Sequence, residues 1–195
     1  MRVSDDRYTR DRQKFDLAVR LIRHEARTYT IRQWTGLSDD RIRKLYRSYV
    51  SSSGTQSVAR HRGKSPRQAA FFFRNSEVHF QAAQLASLFL LFGLLNEGMN
   101  AARLGFRLGS LESGALLCHA YEAYRQLHSP ARISFEHAWF LLSALARRDE
   151  IGLTRCRECG EAWLRDLFGR QWDLCTSCAA ARKPACRQLG DSDPC

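Results

Sequence analysis

The chain has 195 residues, 44% of them hydrophobic and 26% charged, a balance that suits one ordinary domain with an appendage or two small ones and excludes disordered and collagen-like classes. Its net charge of +11 is local: residues 1–75 hold 18 Lys/Arg against 7 Asp/Glu, and the rest of the chain holds 13 of each. Arg supplies 27 of the 31 basic residues, and its planar fork matches phosphate and base edges, so an anionic polymer is the natural partner of the first 75 residues; a solvated surface is the plainer alternative.

Residues 1–13 alternate acids and bases without an apolar stripe and read as a flexible arm. From Lys14 to Arg27 the apolar positions Phe15, Ala18, Val19, Ile22 and Ala26 recur at spacings of three and four, which predicts an amphipathic helix. A short second helix spans about Ile31 to Thr35 and stops at Gly36, where positive φ is tolerated. Ser38 is the N-cap of a third helix reaching about Val50, with Asp39 and Asp40 complementing its dipole. In it Ile42, Leu45, Tyr46 and Tyr49 share one face, and Arg43, Lys44 and Arg47 project from the other.

Residues 14–50 therefore form a basic, helix-turn-helix-like segment. Ile31, Gly36, Leu37, Ile42 and Leu45 fill the apolar and turn positions of such a unit in order, and Arg43, Lys44 and Arg47 are its candidate DNA contacts. One departure stands out: Arg32 occupies a position, four before the turn glycine, that is normally small so that the helices can approach.

Residues 51–70 are Ser-, Gly- and Arg-rich without periodicity, a basic loop. Residues 71–152 read as a helical core, with helices over about 76–95, 97–108, 114–128 and 134–149 separated by Gly93, Gly98, Gly109, Gly114 and the Ser129–Pro130 break. The apolar run Leu85 to Leu95 is too short to cross a membrane. With no secretory leader pattern at the N-terminus, a cytoplasmic location is expected.

The cysteines carry the sharpest signal. C-R-E-C-G runs from Cys156 to Gly160 and C-T-S-C from Cys175 to Cys178, within a module over 153–181. Two such pairs bring four thiolates round one ion, because each two-residue gap turns both sulfurs inward; the spacing predicts one structural Zn2+ held by Cys156, Cys159, Cys175 and Cys178. Ligand type alone leaves an iron–sulfur cluster open. Four protein ligands leave no position for an activated water, so the site is structural and no enzyme activity is expected. Neither H-E-x-x-H nor a deaminase H-x-E with P-C-x-x-C occurs, and Gly63-Lys64-Ser65 lacks the first glycine of a phosphate loop. Cys118 reads as a buried hydrophobe, and Cys186 and Cys195 fall in a tail, 182–195, expected to be disordered.

The order of parts, a basic helical hairpin ending in I-R-K-L-Y-R-S-Y, a helical middle with A-Y-E-A-Y-R-Q-L and H-A-W-F-L-L, then C-R-E-C-G and C-T-S-C, resembles the FlhC family, the zinc-containing subunit of the flagellar master transcriptional activator. The resemblance spans about residues 15–180. It implies a mainly α fold, zinc ligands at the four cysteines, assembly with FlhD into a heterohexamer, binding upstream of flagellar class II promoters and recruitment of RNA polymerase. Loop 51–70 departs from the proline-rich pattern of the family. The alternative reading from the residues alone is an RNA-binding zinc-ribbon accessory protein or a non-catalytic subunit of a nucleic-acid enzyme.

Overall fold

A computed structural model describes residues 2–52, 58, 61, 63, 65–95, 110–169 and 174–182. The helix expected over 97–108, most of the basic loop, and the tail with Cys186 and Cys195 lie outside the described residues. Among those described the protein is mainly α-helical, with a small two-stranded sheet near its four clustered cysteines.

Helix α1 spans Arg2–Arg23, α2 Thr28–Thr35 and α3 Asp39–Ser52. The expected arm is thus the start of α1; residues 7–10 are exposed, and pairs at helical spacing, Lys14–Asp11 at 3.4 Å and Arg12–Asp16 at 3.8 Å, support the helix near Lys14. Such pairs stabilise a helix without an apolar stripe, which is why periodicity missed it. The three helices pack through Leu17, Leu21, Ile31, Trp34, Leu37 and Ile42, all buried. Gly36 ends α2 with φ 68°, as the turn requires. Tyr46, buried on α3, donates its hydroxyl hydrogen to Ala26 O at 2.8 Å, which ties α3 to the α1–α2 turn.

A 3-10 turn over Ala69–Phe73 precedes α4 (Ser76–Leu91), and α5 (Leu111–Leu127) and α6 (Phe135–Arg147) complete the helical layer. Asn75, Ser110 and Ser134 cap these three helices through their side-chain oxygens. Gly114, expected as a separator, lies inside α5 instead. A Cβ there would meet Leu17 Cδ2 at 2.8 Å and Trp34 Cε3 at 3.2 Å, so the glycine allows α5 to approach α1 and α2. Trp34 then reaches Trp139 of α6, ring centroids 4.7 Å apart.

Two buried polar side chains, Gln81 and Glu136, tie elements together. Tyr124 OH donates to Gln81 Oε1 at 2.5 Å and accepts from Ile133 N at 3.0 Å. Gln81 Oε1 also accepts from Arg132 N at 2.9 Å, so α4, α5 and the approach to α6 share one network. Glu136, buried at the start of α6, accepts from Arg27 N at 2.9 Å and Thr30 Oγ1 at 3.0 Å. Arg27, the N-cap of α2, makes no side-chain capping bond, and the carboxylate from α6 sits at the start of this helix, where the helix dipole favours negative charge.

Strands β1 (Ile151–Arg155) and β2 (Ala162–Asp166) pair antiparallel, with Leu153 opposite Leu164. β2 lies on α4, where His79 Nε2 donates to Leu164 O at 2.9 Å.

Two predictions follow from this packing. Replacing Gly114 by Ala adds roughly 1 kcal/mol of helix propensity, but overpacking against Leu17 and Trp34 costs about 1–3 kcal/mol; the net outcome is a lower urea midpoint, with a larger drop for Gly114→Val. The second concerns acid. Burial lowers the pKa of His24 and of His79, and holds His137 at about 4, aided by the charge of Arg74. These rings are neutral in the fold while the unfolded chain takes up protons near pH 6.5. Stability is therefore full above about pH 6.5 and falls as pH drops towards 4. Urea midpoints at pH 7.5 and 5 measure this, and His137→Phe narrows the difference.

Candidate metal centre and nucleic-acid interface

The hairpin carries the first cysteine pair. Cys156 follows β1 directly, its N–H donates to Glu161 O at 2.9 Å, and Gly160 N closes the turn on Cys156 O at 3.0 Å. Gly160 has φ 72°, so glycine is the residue that makes this knuckle. The second pair is built differently. Cys175 precedes α7 (Thr176–Arg182), and Ala179 N donates to Cys175 O at 2.9 Å as an ordinary helical bond. Ala179 is therefore a helix residue, and the second pair has no knuckle of the first kind. Arg182 of α7 forms an ion pair with Glu158 in the first knuckle, joining the two halves.

The four sulfurs lie within 4.8 Å of one another, and the cysteines are free thiols. Cys159 Sγ and Cys175 Sγ are 3.7 Å apart. A tetrahedron with metal–sulfur bonds of about 2.3 Å has edges of roughly 3.8 Å, whereas a disulfide needs about 2.05 Å. The cluster therefore has the size of a metal site. Cys156 and Cys175 are buried, Cys178 is half-buried and Cys159 is exposed. Backbone N–H groups point at the sulfurs: Cys175 N donates to Cys156 Sγ at 3.3 Å, and Cys178 N to Cys175 Sγ at 3.4 Å.

These bonds shape the acidity of the cluster. Backbone hydrogen bonds from Cys159 and Cys175 bring Cys156 down to about 6. Cys178 moves the other way, because its thiol proton is held by Cys175 and Cys159. One thiolate forms readily and the next ones are opposed by it, so protons fill the site unless a cation replaces them. Four thiolates fit a soft or borderline cation and can hold a metal ion as a closed set.

The helix-turn-helix-like unit places Arg43, Lys44 and Arg47 together on the exposed face of α3, opposite buried Ile42 and Tyr46; Leu45 is half-buried. Arg43 forms an exposed pair with Asp40 at 2.8 Å, a contact worth little and easily exchanged. Arg32 does not block the helix approach. It points outward and reaches Asp39 at 3.6 Å, while the buried Thr30, Ile31, Trp34 and Thr35 of α2 face the packing.

Sequence reasoning missed the hairpin and the contacts made by Glu136. All three residues Ile151, Gly152 and Leu153 are buried, so the alternation that marks a half-buried strand is lacking; two short apolar stretches flanking one C-x-x-C were the available signal. No helix among the described residues is long and apolar enough to cross a membrane, and Cys118 is buried as expected.

Architecture and site together define a mainly helical protein with a cluster of four cysteines spaced so that it could hold a metal ion. Compared with protein-family models and with curated proteins, the chain matches none.

Metal removal gives a direct check. Cys175→Ser is expected to abolish stoichiometric metal, read by elemental analysis after gel filtration, and to expose the 151–182 region to protease, because binding at such a site is itself folding energy.

Proposed function

We propose that the chain is a DNA-binding subunit of a transcriptional activator, acting without catalysis of its own, with one structural Zn2+ at Cys156, Cys159, Cys175 and Cys178. The observation that carries this reading is the α2–Gly36–α3 unit, whose outer face offers Arg43, Lys44 and Arg47 from a buried, tightly tied scaffold. Charge supports it, since the whole positive excess lies in the first 75 residues. So does the resemblance to FlhC: on that basis the chain works with FlhD in a heterohexamer in the cytoplasm, binds upstream of flagellar class II promoters and recruits RNA polymerase. Zinc is favoured among metals because four thiolates at this spacing form a closed tetrahedral set around it.

In this reading α3 enters the major groove and its guanidinium groups meet base edges and phosphates. The four-cysteine hairpin braces the opposite end of the helical layer through α4 and makes no chemical step.

The complex co-purified with FlhD is expected to bind flagellar promoter duplex with an affinity that falls steeply with salt, by a slope of about −0.9 per phosphate neutralised. Arg43→Ala with Arg47→Ala weakens that binding at least tenfold, at about 1–3 kcal/mol for each good base contact, and leaves urea stability unchanged. Fluorescence anisotropy across a salt series measures both; equal affinity in the double variant removes α3 from the interface.

A further inference from the structure

The structure carries a second basic surface away from Arg43, Lys44 and Arg47. Between α2, the start of α6 and the segment from Ser65 to Phe71, with His61 and Gly63, lies a cavity of about 910 Å³, and a second of about 630 Å³ adjoins it; both are lined by Arg27, His61, Pro66 and His137. Arg67 lines the first, and Arg23, Arg125 and Arg132 line the second. Arg23, Arg67 and Arg125 are exposed, and none of them forms an ion pair among the described residues.

The acidic side chains of this groove are already engaged. Glu25 pairs with His61 at 2.9 Å, and Glu136 accepts from Arg27 N and Thr30 Oγ1. Five arginines, Arg23, Arg27, Arg67, Arg125 and Arg132, line the two cavities against two carboxylates, Glu25 and Glu136.

Aromatic rings in the wall decide between bases and phosphates. Phe71 is stacked on His137 at 3.8 Å and covered on its ring by Arg74 at 4.4 Å, and Tyr29 carries Arg32 at 5.6 Å. Single-strand binding wants open ring faces on which bases stack; these faces are taken. Guanidinium groups without acidic partners, set in an open groove, suit phosphates.

We infer that this groove binds the DNA sugar-phosphate backbone and extends the footprint of α3. The inference rests on the DNA-binding reading above. Continuity comes from Tyr46, which holds α3 against Ala26, beside the Arg23–Arg27 wall of the groove. Backbone contacts fix register on the duplex, and base contacts stay with α3.

The test is Arg67→Gln with Arg125→Gln in the full metal-loaded chain with its partner subunit, titrated against promoter duplex and against an unrelated duplex of equal length. The expected result is weaker binding to both duplexes by a similar factor, with the salt slope reduced by about 1 to 2. If the melting temperature drops in that variant, Arg23→Gln with Arg67→Gln repeats the measurement. Unchanged affinity and slope, with intact wild-type binding, overturn the groove alone. A wild-type complex that binds neither duplex overturns the DNA-binding reading and the groove with it. Displacement of duplex by structured RNA at lower concentration assigns the groove to RNA and overturns the inference.

Discussion

The placement of α3 depends on one close approach, that of α5 to Trp34 at Gly114. Trp34 is fully buried and large, and it wedges between α5 and Trp139 of α6. Because α5 carries no side chain at Gly114, the indole and Leu17 occupy that space together. The basic hairpin is thereby fastened to the helical layer, and the outer face of α3 is held on a fixed base. A freely hinged hairpin would lose entropy on every docking event. Glu136 adds a polar tie at the same junction, since its carboxylate accepts from Arg27 N and from the Thr30 hydroxyl.

A second junction lies at the far side of α4. There the hairpin lays Trp163 and Leu164 against the helix, and His79 donates to the Leu164 carbonyl. Burial lowers the pKa of His79 and outweighs the hydrogen bond to the Leu164 carbonyl, which raises it. The metal module is consequently part of the same packed body as the helices. Both β2 and α7 contact helix α4, and Cys156 and Cys175 are buried at the end of β1 and the start of α7.

Much of this was legible in the residues. The periods of Lys14 to Arg27 and of Asp39 onward marked the right helices, Gly36 marked the turn between them, and the two C-x-x-C pairs marked the sulfurs that converge. What stayed hidden depended on partners remote in sequence. Residues 2–13 are helical without an apolar face, so periodicity had nothing to detect. β1 is buried over its first three residues, Ile151 to Leu153, so it shows no alternation. Gly114 read as a break because a glycine that admits a neighbouring helix and one that ends its own look alike until the neighbour is known. Arg32 looked like a clash at the helix crossing; the chain turns it outward to Asp39 and uses Thr30 and Thr35 inside.

The unlike construction of the two cysteine pairs has a consequence for biosynthesis. Cys156 and Cys159 stand on a local hairpin knuckle that can close as soon as β2 has been made, whereas Cys175 and Cys178 lie at the start of a seven-residue helix. A helix that short does not persist alone in water. During translation the first pair is therefore shaped before the second exists. The four-sulfur cluster is completed only when α7 condenses onto the half-built site, so the chain can offer all four thiols to a metal ion only after its last described helix has been made.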